Sequence, residues 1–174
     1  KGAGFIFLDR NFLLEKEIWG GSQERNRRAG TENVNGIVGM GVALEKIYRN
    51  VHMEEEIEET LHTYMEQRIK EEIEGVVING ENAPRVKNIS NICIKGCDVQ
   101  TLIIALDLRG ICISGGSACM SGAQEPSHVL TVMGLSPDEL KSSFRVSIGR
   151  YTVKEEIDSF IENLKEIVEI ERGV

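Results

Sequence analysis

The chain has 174 residues, 41% hydrophobic and 28% charged, enough to bury a sizeable core in one or two domains. Its formal charge of -8 excludes phosphate-backbone binding as the main business, because that needs clustered Lys and Arg, and no run of about 18 apolar residues offers a membrane span. Four cysteines sit in an otherwise ordinary intracellular composition, so the expectation is a soluble, cytoplasmic protein with neither nucleic acid nor membrane as partner.

Taken in chain order, residues 3–9 of the opening KGAGFIFLDR read as a short strand, with no initiating Met before them; either a leader was removed or the chain is a piece of a longer one. A polar, glycine- and arginine-rich segment follows from Gly20 to Gly36. IVGMGVALEKIYRNV has helical spacing, and its small residues suggest close packing against another element. Between Met53 and Glu74, Ile57, Leu61, Met65, Ile69 and Ile73 form one apolar stripe on an acidic helix that Gly75 closes. VVING and VKNISNICI read as strands, DVQTLIIALDLRG as a helix and ICIS as a further strand. A short helix is expected near SHVLTVMG. In LSPDEL, Ser136, Pro137 and Glu139 make a capping box with proline at the first helical position. SSFRVSIG alternates like a half-buried strand. Thr152 and Glu155 suggest another capping box before a last helix that buries Ile157, Phe160, Ile161, Leu164 and Ile167. The sum is an α/β domain over residues 38–174, with residues 1–37 as the tail of a different domain.

Three features carry possible chemistry. Cys119 lies in SGGSACMSG, where glycine and small side chains give a thiol nothing to pack against; a nucleophile, a redox thiol and a plain surface residue are all open. Arg145 alternates with Phe144 and Val146, and its guanidinium suits either a carboxylate ligand or a structural ion pair. Arg25, Arg27, Arg28 and Thr31 crowd a glycine-bounded loop, a local cationic patch that fits an anion such as phosphate or pairs with the acidic surface. Cys93 and Cys112, in apolar runs, read as buried small hydrophobes, whereas Cys97 at a strand–helix junction has the better claim to exposure. The cysteine spacing is poor for a structural zinc site. His128 with Glu125 beside Cys119 would permit a cysteine hydrolase, but a histidine at a helix start is at least as often a capping or packing residue.

GGSQERNRRAGTEN, LIIALDLRGICISGGSACMSG, EPSHVLTVMGLS and SFRVSIGRYTVKEEID resemble, in order and spacing, the C-terminal half of the NifS/IscS-type cysteine desulfurases. The long glycine- and serine-rich loop resembles the NifS/IscS group rather than the SufS-like group. The resemblance implies an α/β chain: the small C-terminal domain of a fold-type I pyridoxal phosphate (PLP) enzyme of class V, plus the tail of its large domain. It implies Cys119 as the catalytic cysteine that receives sulfur as a persulfide, and Arg145 as the holder of the substrate carboxylate. Thr31 would reach the cofactor phosphate of the partner subunit in a homodimer, with Gln23, Arg25 and Arg28 in the same interface or anion-binding loop. His128 and Glu125 become structural, and no metal is implied. Ser22 and Asn26 stand where the family commonly has glycine.

The implied activity is conversion of L-cysteine to L-alanine, with sulfur passed to an Fe-S scaffold or other sulfur-acceptor protein. Lys1-Gly2 matches the end of the family's cofactor-lysine run, which places that lysine ahead of residue 1 and makes the polypeptide inactive alone. The missing N-terminal half or large domain would then be a partner. The alternatives are a sulfur-carrying or protein-interaction module without PLP, or one half of a split desulfurase.

Overall fold

Helix α2, Val34–Glu72, is the longest element of the structure, a computed structural model that describes residues 2–115 and 127–173. The chain divides into two compact units, Lys1–Val51 and His52–Val174.

In the first unit, residues 3–9 form no strand: Phe5, Ile6 and Phe7 are exposed, because an extended run becomes a strand only with a ladder partner and none is present among the described residues. A four-residue turn, α1 (Gln23–Asn26), carries three consecutive left-handed residues, Glu24, Arg25 and Asn26. The first part of α2 follows, with Val34, Val38 and Val42 exposed. Among the described residues the close packing expected at its small residues is not seen: an added Cβ at Gly39 or Gly41 meets none of them within 4 Å.

The second unit is built on a three-stranded antiparallel sheet in the order β1 (Val76–Ile78), β2 (Ile89–Ile94), β3 (Ser143–Ser147). In register, Val77 faces Cys93, and Asn91 faces Arg145. Side chains alternate along a strand, so Ile92, Ile94, Phe144 and Val146 enter the core with Met65 and Ile69 of α2 and with Ile73 just past its end. Of the expected α2 stripe, Leu61 is only partly buried and Ile57 is exposed, since the hydrophobic cluster reaches no further along the helix. Gly75 adopts φ +75° just past α2, and Arg172 seals this corner by donating to the carbonyls of Glu74 (3.0 Å) and Lys95 (2.5 Å).

Helix α3, Val99–Asp107, starts where Asp98 accepts hydrogen bonds from the Gln100 and Thr101 amides, and buries Val99, Leu102 and Leu106. The run 111–113 forms no strand; only Ser114 bridges to Arg145. After α4 (His128–Val132), α5 (Pro137–Lys141) opens with the expected Ser136–Glu139 box. Helix α6, Lys154–Arg172, buries the five predicted residues and Val168. Its cap lies one residue later than predicted: Val153 holds the N-cap and its amide donates to Glu156, while the Thr152 hydroxyl accepts instead from the Gly149 amide, tying off the turn before the helix. Among the described residues no helix is long and apolar enough to cross a membrane.

Candidate functional site

Arg145 sits in the middle of β3 because a strand places Phe144 and Val146 on one face and their intervening neighbour on the other. Phe144 is fully buried, whereas Arg145 is half-buried on the opposite face. Its Nε is shielded from solvent, yet it has no hydrogen-bond partner and no carboxylate neighbour among the described residues. A guanidinium in that condition is primed for a carboxylate, whose two oxygens match its fork. The same face carries Asn91, opposite Arg145 on β2, and Asn91 Oδ1 accepts from Asn79 Nδ2 at 2.7 Å.

The backbone of Arg145 anchors a second chain segment. Its amide donates to the Ser114 carbonyl (2.6 Å), and the Ser114 amide donates back (3.1 Å). Gly115 follows, packed so closely on α3 that an added Cβ would stand 2.9 Å from Ile103 Cδ1. Residues 114 and 115 are thereby fixed beside Arg145. Cys119 itself, with Glu125, lies outside the described residues. His128, in the first turn of α4, is exposed, and that helix is capped by Ser127.

The remaining cysteines differ from expectation in two cases. Cys93 is buried as predicted, but Cys112 is exposed, because its run forms no strand, and Cys97 is buried in the core cluster. Burial pushes the thiols of Cys93 and Cys97 above the ordinary range, with Glu171 adding to the effect at Cys97. Neither is a ready nucleophile. Among the described residues no group of three His, Cys, Asp or Glu could hold a metal.

The arginine-rich loop belongs to the first unit. Gly30, at φ +103°, donates its amide to Gln23 Oε1 at 3.3 Å, which closes the loop around residues 24–29. Arg25, Arg27 and Arg28 have no ion-pair partner among the described residues, and Arg25, Arg28 and Thr31 are exposed. The left-handed run at 24–26 costs about 1–2 kcal/mol per residue, least at Asn26, whose side chain type tolerates that region. Guanidiniums with no ion-pair partner among the described residues, a threonine hydroxyl and glycine-flanked amides are groups that fit a phosphate.

Sequence reasoning missed a buried polar cluster, His62, Glu66 and Ser90 with Arg85, because His62 and Glu66 fall one helical turn apart among many surface glutamates. His62, Glu66 and Arg85 line a cavity of about 630 Å³. The cavity's cations are spoken for: Arg85 pairs with Glu66, Lys70 with Glu81 and Lys87 with Glu59.

These features define a class. Residues 10–160 match the aminotransferase class-V family, and the chain belongs to it; its α/β fold is that of fold-type I PLP enzymes. Within the class, the similarity is to the NifS/IscS-type cysteine desulfurases. A cysteine desulfurase of Nostoc sp. is 43% identical over 97% of this chain and 42% of its own length, and a cysteine desulfurase IscS of Methanosarcina thermophila is 38% identical over 97% and 42%. The crystal structure of a NifS-like protein from Rickettsia africae superposes with a TM-score of 0.80 at 35% identity, over 91% of this chain and 41% of that one. The chain thus spans less than half the length of the relatives it matches.

Proposed function

We propose that this chain supplies the sulfur-accepting and carboxylate-binding part of a cysteine desulfurase that converts L-cysteine to L-alanine. The observation that carries the reading is Arg145, a half-buried guanidinium without a carboxylate partner among the described residues, hydrogen-bonded through its backbone to the stem of the Cys119 segment. In this reading Arg145 clamps the substrate carboxylate bidentately and so fixes the substrate sulfur relative to the incoming thiolate. The Cys119 thiolate attacks that sulfur. The carbon–sulfur bond breaks, sulfur stays on Cys119 as a persulfide, and the carbon takes up a proton to leave as alanine. Bound PLP supplies the electron sink for the bond cleavage.

The loop with Gln23, Arg25, Arg28 and Thr31 would hold the phosphate end of that cofactor, with Thr31 serving the partner subunit's site in a homodimer. Residues 1–37 act as the remnant of the large PLP-binding domain and residues 38–174 as the small domain. The persulfide passes to an Fe-S scaffold or another sulfur-acceptor protein in the cytoplasm. The chain spans less than half the length of its relatives, and in this reading the 174-residue polypeptide on its own binds no PLP covalently. Adding PLP to this polypeptide tests the last point: the expected result is no absorbance band near 420 nm that survives dialysis. A stoichiometric band that borohydride fixes onto a lysine of this chain would overturn it. Joining the chain to the large domain of a class-V relative and assaying alanine from cysteine tests the reaction itself; no alanine from a folded, PLP-loaded protein would refute it.

A further inference from the structure

Beside the cavity, three elements converge on one histidine. Helix α2 brings His62 and Glu66, β2 brings Ser90, and the connection between β1 and β2 brings Arg85. His62, Glu66 and Ser90 are 3%, 7% and 0% exposed. Arg85 seats on Glu66 through two parallel bonds of 2.7 Å, and its Nη1 also stands 3.2 Å from His62 Nε2. Ser90 Oγ lies 2.8 Å from His62 Nε2 and 2.6 Å from Glu66 Oε1.

A count of protons shows that these contacts cannot all be satisfied at once. The Ser90 hydroxyl has one proton for two neighbours. With Nε2 bare, it can accept from Arg85 or from Ser90, and Arg85 stays on Glu66. With Nε2 protonated, the ring donates to Ser90 Oγ, Ser90 donates to Glu66 Oε1, and the relay is complete. Because the other ring nitrogen keeps its proton on the Ile89 backbone, a proton on Nε2 makes the ring a cation: it faces the Arg85 Nη1 donor at 3.2 Å and, also at 3.2 Å, competes with Arg85 for Glu66 Oε1. We propose that the cluster is a proton-operated latch on the β1–β2 connection: Arg85 is seated while His62 is neutral and is displaced from Glu66 when His62 takes a proton.

The charged groups around His62 agree with an acid-side switch. Burial works hardest to keep the ring neutral, Glu66 on the same helix opposes it, and Arg85 and Lys87 on the connection push the same way as burial. The backbone of Ile89 on β2 favours the proton. Two rim pairs, Lys70–Glu81 at 2.5 Å and Lys87–Glu59 at 2.8 Å, hold the connection on either side of Arg85 and do not involve His62. Release is therefore local, and it does not depend on the desulfurase reading.

Amide hydrogen exchange on the 174-residue chain tests this. The Glu81 and Ala83 amides bond within the connection, to the Ile78 and Gly80 carbonyls, and the Ile94 amide bonds to Ser142 as a core control. Between pH 7.5 and pH 5, after correction for intrinsic rates, protection at 81 and 83 should fall about tenfold further than protection at Ile94, which reports only the global stability. His62→Gln should abolish the step. No step in the unsubstituted chain, an equal step in His62→Gln, or a parallel fall at Ile94 would overturn the proposal. Because His62→Gln can fail to fold, nitrogen NMR of the unsubstituted chain provides a second reading: the Arg85 guanidinium signal should move with the His62 ring titration. An Arg85 signal that stays put while His62 titrates would equally refute the latch.

Discussion

Phe144 and Arg145 are neighbours in one strand with opposite tasks, and a pair of alanine substitutions should separate them. Phe144 is fully buried among the β2 and α6 residues of the core, so Phe144→Ala removes a complete aromatic side chain and leaves a cavity the close-packed sheet cannot collapse. Such truncations cost about 3–5 kcal/mol. With a urea slope of about 2 kcal/mol per molar, 4 kcal/mol lowers the unfolding midpoint by about 2 M. Arg145→Ala removes a side chain whose Nε has no partner and whose charge pairs with no carboxylate among the described residues, and it keeps the backbone bonds to Ser114. Its stability loss should stay within about 1 kcal/mol, which moves the same midpoint by about 0.5 M or less. Urea titrations followed by circular dichroism measure both. An Arg145→Ala loss as large as that of Phe144→Ala would make Arg145 a structural residue and remove the argument that its fork is reserved for a ligand.

Folding stability should also depend on pH through His62. Its pKa is lowered in the fold, so below the ordinary histidine value of about 6.5 the unfolded chain takes up the proton first and acid favours unfolding. The contribution is therefore complete above about pH 6.5 and lost as pH falls below it; urea midpoints should drop between pH 7.5 and 5.5 in the unsubstituted chain, and less so in His62→Gln. Asp98→Ala should cost about 1 kcal/mol by uncapping α3, with Asp98→Asn retaining most of the stability; equal losses would show that the cap bonds to Gln100 and Thr101 are not what Asp98 contributes. Among Cys93, Cys97 and Cys112, a thiol reagent at neutral pH should label Cys112 first in the native chain, since the other two are buried with raised pKa values, and fast labelling of Cys97 would contradict its burial.

Where a signal was local, the sequence could be read directly. The Ser136 box, the proline at the start of α5, the glycine closing α2 and the buried face of α6 each depend on residues within one or two turns, and each is present. The side of the strand that Arg145 takes, opposite Phe144 and Val146, was legible for the same reason, because strand alternation is local. The errors came where a partner elsewhere in the fold decides the outcome. Residues 3–9 and 111–113 have strand composition but lack ladder partners among the described residues, and the second failure exposes Cys112. Cys97 is buried in a core cluster drawn from distant parts of the chain, with Glu171 and Arg172 of α6 beside it, and the His62–Arg85 cluster joins residues that spacing on one helix cannot connect. The Thr152 cap missed by one residue because its hydroxyl found the Gly149 amide first.

The most direct test of the account is the fate of sulfur at Cys119. With this chain joined to a PLP-binding large domain, Cys119→Ser should retain the cofactor band and its change on adding cysteine, yet yield neither alanine nor transferable sulfur, while Cys97→Ser turns over normally. Sustained alanine production by Cys119→Ser, or its loss only in Cys97→Ser, would contradict the assignment of Cys119 as the sulfur acceptor.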